Sequence, residues 1–151
     1  MAVDLQIAVA NADLTVSNEQ IEFWVNETLK ITGQPQKDLT VRLVEESEIQ
    51  QLNRDYRNKD KPTNVLSFSF EDVPEVECEY LGDIVICMDV VRNESAQQDK
   101  AFESHFAHMV IHGTLHLCGY DHQTDDEAEV MESLENALLK EMLLVPDSPQ
   151  S

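Results

Sequence analysis

Apolar and polar residues alternate from Val3 to Val9, which predicts a strand. The period then changes. Ile21, Trp24, Val25 and Leu29 recur three and four residues apart, so Asn18–Ile31 is predicted as an amphipathic helix with Ser17 as its N-cap and Gly33 as its stop. Leu39–Val44 reads as a second strand, and Ser47 as the cap of a short helix through about Tyr56. Asn58–Thr63 is polar and contains Pro62, which makes it a loop. Val65–Phe70 is a third strand, followed by an acidic loop over Glu71–Glu79. Leu81–Met88 is a fourth strand, read as the hairpin partner of the third. Asp89 is placed as the cap of a helix over Val90–Gln98. A long helix follows from about Lys100 to Leu117; its apolar residues run nearly all round, which predicts burial. Asp125 is read as the cap of the last helix, through about Leu144, with Val130, Leu134, Leu138 and Met142 on one stripe. Strands precede and interleave with helices, so the fold class is α+β, with a small mixed four-stranded sheet and about five helices.

The chain has 151 residues and 42% apolar content, suited to one domain with its own core. That domain is expected over residues 1–145, with 146–151, rich in Pro and Ser, as a tail. No Lys or Arg occurs before Lys30, and no apolar stretch approaches a membrane span. The cysteines, Cys78, Cys87 and Cys118, are odd in number and irregularly spaced. Together these features predict a cytoplasmic protein with reduced thiols and no membrane partner. Net charge is −20, which argues against a general nucleic-acid binder, and no DNA partner is expected. The sparse basic residues do cluster: Arg54, Arg57, Lys59 and Lys61 form a local patch that either holds a phosphate or is a solvated turn.

The chemistry concentrates in His112-Gly-Thr-Leu-His116-Leu-Cys-Gly119-Tyr-Asp-His122. His112 and His116 are four apart, so a helix points both imidazoles the same way. Gly119 can adopt left-handed angles and end the helix, letting the chain return His122 to the same ion. Three histidines with one position open is the arrangement of catalytic zinc. The site is therefore expected at the end of the buried helix, with one zinc per chain. Metzincin proteases share this spacing but carry Glu after the first His as general base, where this chain has Gly113. Cys118 follows His116 by two residues, points to nearly the opposite helix face and is not assigned as a ligand. His108 and His105 lie one and two turns before His112. They either line the site or are buried and hydrogen-bonded, the latter favoured for His105.

Three blocks resemble the YbeY endoribonuclease family of ribosomal RNA maturation factors. They are Ala107–His122 with Asp125–Glu129, Leu52–Phe68, and Leu81–Ile84. The blocks run in family order; the first fifty residues match in pattern alone. Ser69 stands where the family often has Pro, and Asn64 where many members have Asp. The resemblance implies a zinc-dependent, single-strand-specific endoribonuclease. It implies work in 3′-end maturation of small-subunit ribosomal RNA, in ribosome quality control and in late subunit assembly. The implied partners are single-stranded or ribosomal RNA and the small subunit with its associated proteins. It carries over His112, His116 and His122 as zinc ligands, and Arg57 as the catalytic or phosphate-binding residue. Asp83 is left as a ligand-orienting or turn-capping residue, and Asp121 as a support for a histidine or a loop residue. Two alternatives stand beside this reading. One is a non-catalytic assembly factor whose structural zinc is closed by Asp121, His108 or Cys118. The other is a metal-dependent hydrolase of another substrate.

Overall fold

A computed structural model describes residues 3–8, 16–33, 37–69, 80–121 and 123–142. Its elements in chain order are β1 (Val3–Ala8), α1 (Asn18–Ile31), β2 (Asp38–Val44), α2 (Glu46–Arg57), β3 (Val65–Ser69), β4 (Tyr80–Cys87), α3 (Met88–Gln97), α4 (Phe102–Leu117) and α5 (Asp125–Glu141). The four strands form one sheet in the order β1-β2-β4-β3. β1, β2 and β4 run parallel, and β3 pairs antiparallel with β4. The α+β class, the mixed sheet and the β3–β4 pairing are as the sequence predicts. Val9, the acidic loop, His122, Leu144 and the tail lie outside the described residues.

Local sequence explains the starts of α1 and α5. At α1 the Ser17 hydroxyl accepts from the Gln20 amide at 3.2 Å, and the Gln20 side chain accepts from the Ser17 amide at 2.8 Å. Ile21, Trp24, Val25 and Leu29 all turn inward. Three predicted caps move. Glu45, not Ser47, precedes α2, and Cys87, not Asp89, precedes α3. Both helices begin where a buried strand ends, so packing of the strand sets their start. Neither has a side-chain cap. At α5 the cap is Thr124, which forms a reciprocal pair with Glu127; Asp125 is the first helical residue. An acid there still suits the positive end of the helix.

The inward face of α5 is also rotated from the predicted stripe. Met131, Glu135, Leu138 and Leu139 are buried, whereas Val130 is 52% exposed. Choosing positions by apolarity skipped the one acid on the buried face.

The sheet has two differently covered faces. Leu39, Val41, Leu43, Ile84 and Ile86 belong to the main core with α1, α4 and α5. Val44, Leu66, Val85 and Cys87 form a smaller cluster with Ile49 of α2. α4 is the central helix, with Phe106, Ala107, Val110, Ile111 and Leu115 fully buried. Among the described residues no helix is long and apolar enough to cross a membrane.

α4 sits very close to the sheet at Gly113. A Cβ there would lie 2.8 Å from Ile84 Cγ2 and 3.2 Å from Ser67 Oγ. The Ser67 hydroxyl donates to the Gly113 carbonyl at 3.1 Å. A glycine inside a helix ordinarily costs about 1 kcal/mol against alanine. Overpacking a tight contact costs roughly 1–3 kcal/mol. The second effect is the larger, so Gly113→Ala is expected to destabilise the protein. Gly82→Ala should be worse: its Cβ would lie 2.0 Å from the Phe68 carbonyl oxygen, at φ +145. Urea midpoints should fall in the order wild type, Gly113→Ala, Gly82→Ala. A stabilised Gly113→Ala would mean that α4 has room to lift from the sheet.

Candidate metal centre and cleft

The apolar surround of α4 leaves a single opening. From His105 to Leu117 every residue is buried except His108, His112 and His116, which are partly exposed. The three recur every fourth residue, so they form a seam along one helix edge. The His112 and His116 rings are 4.7 Å apart between centroids and nearly perpendicular. The helix ends immediately after them. Gly119 takes φ +100, and its amide donates to the His116 carbonyl at 3.0 Å.

Glu135 reaches this seam from α5. Its side chain is 7% exposed, and its two oxygens divide between two histidines. His108 Nε2–H donates to Oε1 at 2.8 Å, and His112 Nδ1–H donates to Oε2 at 2.5 Å. Burial works to raise the Glu135 pKa, but the hydrogen bonds and positive charge of His108 and His112 outweigh it and hold it at about 2. The carboxylate at Nδ1 of His112 keeps the proton on that nitrogen and leaves Nε2 as the one that can face a metal. That is the tautomer a metal ligand needs, and carboxylates orient ligating histidines in this way.

The opposite wall comes from α2 and β3. Asn58 adopts left-handed angles and ends α2 at Arg57. The buried Asn53 side chain donates to the Lys61 carbonyl at 2.9 Å, fastening the loop back on the helix. The loop then delivers Thr63 and Asn64 to β3. Tyr56, Arg57, Asn64, Ser67, His112 and His116 all border one open cleft of about 760 Å³. Among the described residues Arg57 has no ion-pair partner, whereas Arg42 pairs with Glu48 at 2.7 Å and Arg54 with Asp55 at 3.4 Å. Arg57 is also the sole cation among the described residues of the cleft wall. Of the predicted basic patch, Arg54, Lys59 and Lys61 do not line it.

The other candidates divide. Asp121 borders the cleft beside His116. Cys118 turns away, with its sulfur 3.5 Å from the Thr32 hydroxyl, and burial pushes its thiol pKa up. His105 is buried and bonds Glu94 at 2.9 Å. Glu94 in turn accepts from the Asn64 side chain, at 3.1 Å on the same oxygen. Asp83 lies within β4, beside Ile84, which faces α4; alternation turns it to the other side of the sheet. There it accepts from the Tyr80 hydroxyl. Burial and that bond raise the Tyr80 phenol to about 12.

Among the described residues no three His, Cys, Asp or Glu side chains gather as a metal-holding group. His112 and His116 are the two donors brought together, and both present imidazole nitrogen, which suits zinc. Glu135 is the candidate site residue that the sequence did not single out. Its signal was an acid at the spacing of Met131 and Leu138 on the buried face of α5.

The solution structure of a Thermotoga maritima protein is similar to this one. The two share 28% identity over 93% of this chain and 91% of that chain, with a TM-score of 0.60. The family model described as Endoribonuclease YbeY matches residues 6–143, nearly the full length. The histidine seam, the facing Arg57 and this match lead to one assignment: the chain belongs to the YbeY endoribonuclease family.

Proposed function

We propose that this chain is a zinc-dependent, single-strand-specific endoribonuclease that acts in 3′-end maturation of small-subunit ribosomal RNA and in ribosome quality control. The reading rests above all on one observation: Arg57 and the His112–His116 pair border the same cleft. In this proposal His112, His116 and His122 hold one zinc per chain. When bound, zinc supplies Lewis acidity toward a phosphoryl oxygen and lowers the pKa of a bound water to about 7. Arg57 binds the phosphate through two guanidinium N–H groups and stabilises the charge that grows there. Glu135 holds His112 in its ligating orientation. The net charge of −20 disfavours long-range attraction to RNA, so contact with substrate is local. The small ribosomal subunit and its proteins are the proposed partners, the cytoplasm the proposed compartment, and residues 1–145 the proposed domain.

The assembly-factor alternative needs a fourth ligand to close the zinc. Of its three candidates Asp121 borders the cleft, whereas Cys118 bonds Thr32 and His108 bonds Glu135. A peptidase-like hydrolase is disfavoured at Gly113, because a glutamate there would collide with Ile84.

Four outcomes test the proposal. His116→Ala should lose both zinc and cleavage of single-stranded RNA. Arg57→Ala should keep its zinc while cleavage falls roughly 100-fold or more, the usual cost of removing one charge-stabilising donor. Arg57→Lys should not restore the rate, since an ammonium cannot make the two-pronged contact. Replacing Lys59 and Lys61 together should cost far less than losing Arg57, because neither lines the cleft. Wild-type cleavage by Arg57→Ala would remove that residue from the chemistry.

Glu135→Leu should weaken zinc binding by roughly ten- to a hundred-fold, as loss of a histidine's carboxylate partner does elsewhere. Glu135→Gln should fall between, since its amide oxygen still accepts from one imidazole. Zinc competition titrations check this. Equal affinity in all three proteins would mean that Glu135 serves α4–α5 packing alone.

A further inference from the structure

We propose that Tyr56, backed by Phe68, is a stacking subsite for one nucleobase of a single-stranded RNA, beside the phosphate that Arg57 binds. This rests on the ribonuclease reading above. The described large apolar side chains left exposed are Ile7, Phe23, Ile31, Tyr56 and Val130. Of these only Tyr56 borders the cleft. It is 68% exposed, so its ring contributes little to the core. Yet the ring does not stand alone. It meets Phe68 edge to face, with centroids 5.2 Å apart and planes at 65°. Phe68 packs on the small apolar cluster of Leu66, Val85 and Ile49. The exposed ring is thereby propped against the rigid sheet rather than left free to turn.

Both aromatic residues and Arg57 border the cleft that His112 and His116 border. A guanidinium with no ion-pair partner among the described residues, next to a presented ring, matches a nucleotide, which offers an anion and a flat π-face together. An apolar peptide side chain would use the ring but not the cation. Stacking is tolerant of base identity, because every base has a π-face. The subsite therefore distinguishes a base from no base, not one base from another. It also favours a single strand, whose bases are open to stacking, over a duplex.

The test uses the zinc-loaded full chain and a single-stranded RNA, either intact or with an abasic residue placed at successive positions. Tyr56→Leu keeps an apolar side chain against Phe68 and removes the ring; Tyr56→Phe keeps the ring. Tyr56→Leu should raise KM roughly five- to a hundred-fold, with kcat changed less, as loss of one stacked base implies. Tyr56→Phe should match wild type. Wild type should lose affinity at one abasic position, and Tyr56→Leu should be indifferent there. A 2-aminopurine at that position should be quenched by wild type and not by Tyr56→Leu. Melting temperatures of all three proteins should agree, which separates these effects from unfolding. If wild type cleaves RNA and Tyr56→Leu does so with the same KM, the stacking subsite is refuted and the ribonuclease reading stands. If wild type neither binds nor cleaves RNA, the ribonuclease reading fails and the subsite with it.

Discussion

The close seating of α4 on the sheet is the constraint on which the rest of the structure depends. At Gly113 the helix backbone approaches Ile84 more nearly than a Cβ would allow without a shift, and Ser67 more tightly than most Cβ contacts. The neighbouring residue, His112, and His116 one turn on are thereby set against β3. The two walls of the cleft face each other because nothing stands between backbone and sheet at this point. A zinc peptidase helix carries its general base at this same position. In this chain that position points into the sheet, where a carboxylate has no room. The glycine that looks like a missing catalytic group is a packing requirement. It moves the chemistry from the helix itself to whatever the opposite wall supplies.

Electrostatics then divides the two walls. On the helix side, a buried carboxylate lies between two imidazoles. Glu135 gains from His108 and His112 more than it loses by leaving water, which is why it stays ionised at a place where a lone acid would be neutral. The arrangement also ties α5 to α4 through directed bonds, fixing the helix pair more narrowly than apolar contact alone. On the other side stands a guanidinium without a carboxylate among the described residues. In a chain with 30 acidic residues against 10 basic ones, an arginine at a cleft with no ion-pair partner among the described residues is free of the competition that occupies Arg42 and Arg54.

What the sequence disclosed follows from how local each signal was. α1 was legible to the residue, because cap, apolar spacing and stop all lie within seventeen positions of one another. The histidine pair was legible for the same reason: four residues on a helix determine a face. The starts of α2 and α3 were not, since they are set by where buried strands end. The rotation of α5 was missed because its inward face includes Glu135, whose reason for being there lies 23 residues away at His112. Arg57 could be singled out by resemblance alone. Charge clustering grouped it with Arg54, Lys59 and Lys61; the left-handed turn at Asn58 and the Asn53 tether separate it from the two lysines, and the pair with Asp55 sets Arg54 apart.

The cleft also explains why β3 lies at the sheet's edge. Alternation along β3 sends Val65 and Ser67 toward α4 and the main core, and Leu66 and Phe68 toward α2 and the small cluster. One strand therefore touches both walls through opposite faces. The histidines are referenced to it through Ser67 and Gly113, and Tyr56 through Phe68. An interior strand would be flanked on both sides and could not leave one edge open between the two walls; a strand outside the sheet would lack the rigidity to register two helices. Antiparallel pairing with β4 gives the edge strand a fixed register, Ser67 opposite Ile84, the same residue that Gly113 meets. The spacing between the histidine pair and Arg57 is thus set by backbone pairing rather than by flexible side chains. Positioning of that kind is what phosphoryl transfer demands most of a protein, since a misplaced donor forfeits much of the charge stabilisation it was there to provide.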